Sequence, residues 1–214
     1  MMGMDLLFGP SVERGPRQRR IYLTFDDGPN ERATPAILDT LAAARVPAAF
    51  FLVGDHVRRF SSTARDVTSA GHLVGNHTYN HVKLHFAGPE KIRTQLKKTH
   101  EVIESVTGVA PRSFRAPHGY RSLFLNSRIL EMRYTVFGWT FGVFDTAKPG
   151  VEEIRRRVRK RLRPGAIVLL HDGDGYDPEG DRMQTANALP GIIEDAQAAG
   201  YEFGSLSELL GNHS

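Results

Sequence analysis

The chain has 214 residues, 40% of them hydrophobic and 24% charged, with a formal net charge of +4. That size and balance suit one soluble domain with a sizeable core, and no run approaches the ~18 consecutive apolar residues of a membrane span. With no cysteine, disulfides and thiolate metal ligands are excluded, so any metal site must be built from histidine and carboxylate.

Residues 1–18 read as an amino-terminal extension and 19–211 as the folded domain. The extension is polar and arginine-rich and lacks the apolar stretch of an export signal, so the sequence as it stands reads as cytoplasmic. Were an export segment missing from it, the expectation would be the cell envelope or secretion.

The first strand is expected over 21–25, running directly into Asp26-Asp27-Gly28-Pro29. Neighbouring strand residues face opposite ways, so two ionised acids can share one site only if the chain turns there and a cation is present. Gly28 and Pro29 supply a turn; the plainer alternative is that the four residues are only a surface turn. A helix follows near 34–44, a strand at 48–53 and a helix at 61–70.

The next strand, 72–75, leads into His77-Thr78-Tyr79-Asn80-His81. On one helical turn that spacing would put both imidazoles on the same side, within reach of one ion. Two histidines and a carboxylate leave coordination positions open, which is the mark of a catalytic metal site rather than a structural one. His85 repeats the spacing but stands beside Leu84 and Phe86 and reads as a surface or outer-sphere histidine.

After a helix at 89–106, a strand at 113–115 ends in Arg115-Ala116-Pro117-His118-Gly119-Tyr120. An arginine there could hold a carboxylate in a bidentate pair, while Pro117 and Gly119 fix a turn that aims a backbone N–H at a developing oxyanion. A helix at 123–132 precedes a strand at 134–140 that carries Trp139.

The helix at 151–162 opens with Glu152 and Glu153 and continues through a run of arginines, an order that suits the helix dipole. Ile154, Val158 and Leu162 form its buried stripe, so its charge reads as a solvated face, with a polyanion contact as the alternative. No aromatics interleave the basic residues, and nucleic-acid binding has no motif behind it. The strand at 166–170 ends in His171, well placed to donate a proton. A helix at 185–199 and a strand at 201–204 complete seven strands alternating with helices, the pattern of βα units around a parallel sheet or barrel.

In this order, and over almost the whole chain, these segments resemble the polysaccharide deacetylases of carbohydrate esterase family four. The resemblance implies a single α/β domain folded as a distorted (β/α) barrel of seven or eight units. It implies a metal-dependent hydrolase that removes N-acetyl, or O-acetyl, groups from a glycan such as peptidoglycan or a chitin-type oligosaccharide. By that likeness Asp26 is the general base and Asp27, His77 and His81 are the metal ligands, with zinc the default and cobalt, nickel or manganese able to use the same atoms. Arg115 would orient the base, and the turn through Pro117 and His118 would donate to the oxyanion. His171 would be the general acid, Asp145 its partner, Leu169 part of the acetyl pocket and Trp139 part of the groove.

The chain departs from the family pattern at Gly142 and Thr146, where an acid and a tryptophan are usual, and at Ala116 and His118, where proline and tyrosine are more frequent. These changes bear on the groove more than on the metal or the acid-base pair. They keep open a hydrolase of a non-sugar carbon–nitrogen amide bond, and beside it a catalytically decayed carbohydrate-binding module.

Overall fold

A computed structural model describes residues 9–211; residues 1–8 of the extension lie outside them. Strand β1 (Arg20–Asp26) is central, and its neighbours on either side are β2 (Ala48–Leu52) and β7 (Ile167–His171). Beyond β2 come β3 (Leu73–Asn76), β4 (Ser113–Phe114) and β5 (Thr135–Val136); beyond β7 comes β6 (Phe141–Gly142), and β8 (Glu202–Phe203) pairs with the start of β1. Every pairing between these strands is parallel. The described residues therefore hold eight strands, one more than the sequence suggested, in a half-barrel that is open between β5 and β6.

Among the described residues seven α-helices pack around this sheet: α1 (Ala33–Ala44), α2 (Gly54–Arg59), α3 (Ser61–Ser69), α4 (Pro89–Thr107), α5 (Leu125–Glu131), α6 (Val151–Arg161) and α7 (Met183–Ala198). None of them is long and apolar enough to cross a membrane.

The two-residue period of β1 decides what the barrel contains. Ile21, Leu23 and Phe25 face the helical layer, in one core with Ile37 and Leu41 of α1, Phe50 of β2, Val168 and Leu170 of β7 and Ile192 of α7. Tyr22 points the other way, into an interior cluster with Phe51, Phe137 and Ile167. Thr24 and Asp26 share that face and receive the Arg115 guanidinium in the interior. The strand thus buries its body and, after Arg20 at its start, carries Thr24 and Asp26 toward its carboxyl end.

Two expectations need correction here. The strand foreseen at 134–140 stops at Val136: the Phe137 N–H still bonds to Phe114 of β4, but the next N–H groups turn to acceptors elsewhere, Gly138 to Val12 and Thr140 to Ile167. The chain crosses the open side of the half-barrel in this way and re-enters the sheet as β6, two residues too short to signal itself in the sequence. Nor do His77 and His81 lie on a helical turn. Thr78 and His81 take left-handed φ values of 67° and 54°, and side chains replace a helix as acceptors: Asn76 Oδ1 for the Thr78 N–H, Gln95 Oε1 for those of Tyr79 and Asn80.

The basic helix α6 proves to be a clamp. Arg157, Arg161 and Arg163 donate to the carbonyls of Val143, Gly142 and Thr140, at 2.9, 2.6 and 2.8 Å, fastening the segment around β6. Arg155 pairs with Asp195 on α7, and Arg156 and Arg157 pair with Glu153. Ile154 and Val158 are buried beneath them, while Leu162, the third residue of the expected stripe, lies just past the end of α6 and is only partly buried.

Candidate metal centre and active site

The carboxyl ends of β1, β3, β4 and β7 open into one cavity of about 350 Å³, lined by Asp26, Asp27, His77, His81, Leu169 and His171 among others. Asp26 is the last residue of β1 and lies in register with His171 at the end of β7. Asp27 follows in a left-handed conformation, φ 75°, which breaks the strand's alternation and swings the second carboxyl round to the same site as the first. Gly28 then lets the chain pass against the buried Asp172: a Cβ there would stand 2.1 Å from the Asp172 carboxyl oxygen. Adjacent acids meet at one site because the turn begins at Asp27 itself.

Asp27 Oδ1 lies 3.2 Å from His77 Nε2 and 3.0 Å from His81 Nε2, and the three atoms are within 4.8 Å of one another. His77 Nδ1 is 2.8 Å from the Arg115 carbonyl, which can only accept, so Nδ1 carries a proton, and in the neutral imidazole the Nε2 lone pair faces Asp27. A buried carboxylate oxygen then confronts an imidazole lone pair, and Asp27 Oδ1 accepts no hydrogen bond. Two facing acceptors in a dry site call for a cation between them. The donor set of two imidazoles and one carboxylate fits a divalent metal with open coordination positions.

Arg115 is wholly buried and lies over the Phe51 ring at 4.1 Å. Its Nη1 donates to Asp26 Oδ1 at 2.7 Å and to Thr24 Oγ1 at 2.8 Å. The contact is single, where the sequence led us to expect a bidentate pair. The rest of the fork is taken by the carbonyls of Phe137 and Gly138, on the segment that crosses the half-barrel. Asp26 is therefore fixed by one charged hydrogen bond, and its Oδ2 points toward the histidines, 3.8 Å from His77 Nε2.

On the opposite side His171 Nδ1 donates to Asp145 Oδ1 at 2.9 Å. Asp145 is buried, and its Oδ2 accepts from the His171 backbone N–H and from Thr185 Oγ1. Burial alone would lower the His171 pKa, but the Asp145 carboxylate, through charge and hydrogen bond, with smaller help from Asp27 and Asp26, raises it to about 9. Burial likewise works against the Asp145 charge, yet His171 and Thr185 bring its pKa below the ordinary value. The pair is an imidazolium carboxylate with its outer nitrogen turned to the cavity.

Pro117, His118 and Gly119 form a single 3₁₀ turn at the rim, with His118 at φ 57°. Gly119 and Tyr120 spend their N–H groups on the Ala116 and Pro117 carbonyls. Among the described residues no group accepts from the His118 N–H. Trp139 and Leu169 line the cavity, as does Thr146, whereas Asp145 lies behind His171 and Pro117 is buried beneath the turn.

Sequence reasoning missed several residues that shape the site. His56 is 3% exposed and its Nδ1–H donates to the Asp27 carbonyl at 2.9 Å; burial lowers its pKa and keeps it neutral. It stands just beyond the carboxyl end of β2, the position that marked the other site residues. Asp172 follows His171 directly, and its fully buried carboxyl accepts from Thr34 Oγ1 at 2.6 Å; burial, with the Asp27 charge adding to it against that hydrogen bond, raises its pKa to about 7. Tyr176 and Arg182 have no sequence signal, being in or beside a polar loop; Arg182 braces that loop through the Gly173 carbonyl and Asp174.

A parallel half-barrel with its chemistry at the strands' carboxyl ends and an Asp-His-His centre flanked by an acid and an imidazolium defines a metal-dependent hydrolase site. The chain belongs to the polysaccharide deacetylase family, whose model matches residues 13–137. It is 39% identical over 205 residues to the chitooligosaccharide deacetylase of Rhizobium leguminosarum bv. trifolii, covering 93% of this chain and 95% of that one. The solved structure of the Bc1960 peptidoglycan N-acetylglucosamine deacetylase superposes with a TM-score of 0.85 at 30% identity, over 92% of this chain and 91% of the other. So does BA3943, described as a family pseudoenzyme of Bacillus anthracis, with a TM-score of 0.85 at 30% identity over 94% of this chain and 71% of that one.

Proposed function

We propose that this protein hydrolyses the acetamide of N-acetylated sugar units in a glycan, releasing acetate and leaving a free amine. The observation that carries the reading is the meeting, in one cavity, of the Asp27, His77 and His81 donor atoms with Asp26 on one side and His171 on the other. Zinc is the ion that the two-imidazole, one-carboxylate set suits best, and cobalt, nickel or manganese would use the same atoms. When bound, such an ion polarises the acetyl carbonyl and makes water a better nucleophile near neutral pH.

The chain's own groups divide the proton work. Asp26, held in place by the Arg115 guanidinium, takes a proton from the attacking water as its oxygen bonds to the carbonyl carbon. The His118 backbone N–H donates to the oxygen that gains charge. His171 Nε2 gives its proton to the sugar nitrogen as the carbon–nitrogen bond breaks, and Asp145 stabilises the imidazolium until then. Leu169 and Trp139 supply apolar surface beside the acetyl group.

Likeness to a pseudoenzyme is a specific reason to keep a second reading, a carbohydrate-binding module without turnover. Against it stands the presence here of all three donor atoms, the base and the paired imidazole. Acetate release from N-acetylglucosamine oligomers, peptidoglycan and acetylated xylan, with and without chelator, separates the two. The deacetylase reading expects chelator-sensitive acetate from an N-acetylated glycan. Binding with no acetate from any of them would leave the module.

A further inference from the structure

The two imidazoles of the metal centre are held in different ways. His77 donates from Nδ1 to the Arg115 carbonyl at 2.8 Å, which fixes the plane of its ring. His81 turns Nε2 to Asp27 at 3.0 Å, so Nδ1 carries the proton when Nε2 is a ligand; that atom is buried, and no group among the described residues pairs with it. The His81 backbone is left-handed as well, with φ 54°, a conformation that a non-glycine residue keeps only where its surroundings impose it. A ligand with neither a hydrogen bond nor a relaxed backbone to fix its ring has to be placed by what packs around it.

Those surroundings come from two loops, one after β4 and one after β7. Tyr176 sets its ring at 83° to that of His81, with centroids 5.0 Å apart, and His118 stands at 67° and 4.7 Å. The two are joined, His118 Nε2 to the Tyr176 hydroxyl, at 2.9 Å, so they form one wall. Gly175 brings backbone against the ring itself: a Cβ there would stand 2.3 Å from Cγ and Nδ1 of His81. The loop that carries Gly175 and Tyr176 is tied down on both sides of them. Arg182 donates to the Gly173 carbonyl and to Asp174, whose Oδ1 accepts from the Tyr176 N–H at 3.1 Å. Asn30, just past the turn at Asp27, donates from Nδ2 to the carbonyls of Pro178 and Gly180 at 3.0 and 3.2 Å. The proton transfers described above have no task for Gly175 or Tyr176.

We infer that Gly175 and Tyr176, with His118 joined to the Tyr176 hydroxyl, are positioning residues for the metal: they hold the His81 ring where its Nε2 meets Asp27 and His77, in place of the hydrogen bond that His77 has and His81 lacks. This rests on the metal reading above and is independent of which amide is cleaved. Two opposite changes then have the same effect. Tyr176→Ala takes away the ring edge that confines His81, and Gly175→Ala drives a methyl group into it. Tyr176 is 63% exposed, so its removal takes little from the core.

The test measures zinc affinity by competition with a chromophoric chelator, without substrate, on wild type, Tyr176→Ala, Tyr176→Phe and Gly175→Ala, with urea midpoints of the metal-free proteins alongside. Tyr176→Ala should lose about tenfold in affinity and Gly175→Ala at least as much. Tyr176→Phe, which keeps the ring edge, should lose less than about threefold. The absorption of the cobalt-loaded proteins, which follows ligand geometry, should change in the two alanine variants and be kept in Tyr176→Phe. The metal-free midpoint of Tyr176→Ala should stay with that of wild type. Affinity unmoved in both alanine variants overturns the inference and leaves the metal centre standing. An affinity loss in Tyr176→Ala that comes with an equal loss of metal-free stability also overturns it, since the loop would then support the fold and not the ligand. A wild type that retains no zinc overturns the metal centre and this assignment together.

Discussion

Asp145→Asn isolates what the buried carboxylate does for His171. The asparagine carbonyl can still accept from His171 Nδ1 and so hold the ring in place, while the negative charge that raises the pKa to about 9 is gone. Burial then acts with little opposition, and the imidazole falls to its ordinary 6.5 or below. At about pH 8 the wild-type ring is roughly 90% protonated and the variant's roughly 3%, a loss of about 30-fold in the species able to donate a proton. At about pH 6 the same arithmetic gives less than a twofold difference.

The pair also enters stability. A folded pKa raised from 6.5 to about 9 favours the folded state fully below about 6.5, and this contribution, on the order of 3 kcal/mol, is lost as pH rises through about 9. The assay is kcat/KM for acetate release across that range, with urea midpoints measured in parallel. The account expects a deficit that opens as pH rises, and a stability slope between about pH 6.5 and 9 that is present in wild type and flattened in the variant. A rate loss of the same size at both ends of the range would refute it, leaving Asp145 to orient the ring and nothing more.

The other predictions concern the opposite wall of the cavity. Asp26→Asn should retain the metal while kcat drops about 10²-fold or more, and metal analysis beside kinetics checks this; loss of metal together with activity would mean that base and ligand are interchanged. His56→Ala removes the donor that holds the Asp27 carbonyl, so zinc affinity measured by competition with a chelator should fall about 10- to 100-fold, with His56→Gln recovering part of it. Arg115→Met leaves the buried Asp26 without its cationic partner, at a cost of about 3–5 kcal/mol in urea unfolding near neutral pH, and that cost should shrink when Asp26→Asn is introduced as well.

What could be read from the sequence was whatever a strand end announces. The apolar body of β1 followed by Asp26 and Asp27, the histidines after β3, Arg115 after β4 and His171 after β7 all follow one rule, that a parallel sheet carries its chemistry at the carboxyl ends of its strands. The same rule would have flagged His56 after β2, but a lone imidazole beyond an unremarkable strand gave no second signal. What escaped was set by side chains distant in sequence. Asn76 and Gln95 hold the His77–His81 loop out of a helix, and the carbonyls of Phe137 and Gly138 occupy the arginine fork expected for Asp26. The basic run of α6 needed its acceptors, the carbonyls around β6, before a charged face could be told from a clamp. Strand β6 itself, two residues including Gly142, has no pattern to detect.

The central claim is that Asp27, His77 and His81 hold a metal on which hydrolysis depends. Its most direct test is to measure bound zinc and acetate release together on wild type and His77→Ala, before and after chelation and after zinc is restored. The account predicts one zinc per wild-type chain, with acetate release that stops on chelation and returns with zinc, and neither metal nor activity in His77→Ala. A metal-free His77→Ala protein that releases acetate at the wild-type rate would contradict it.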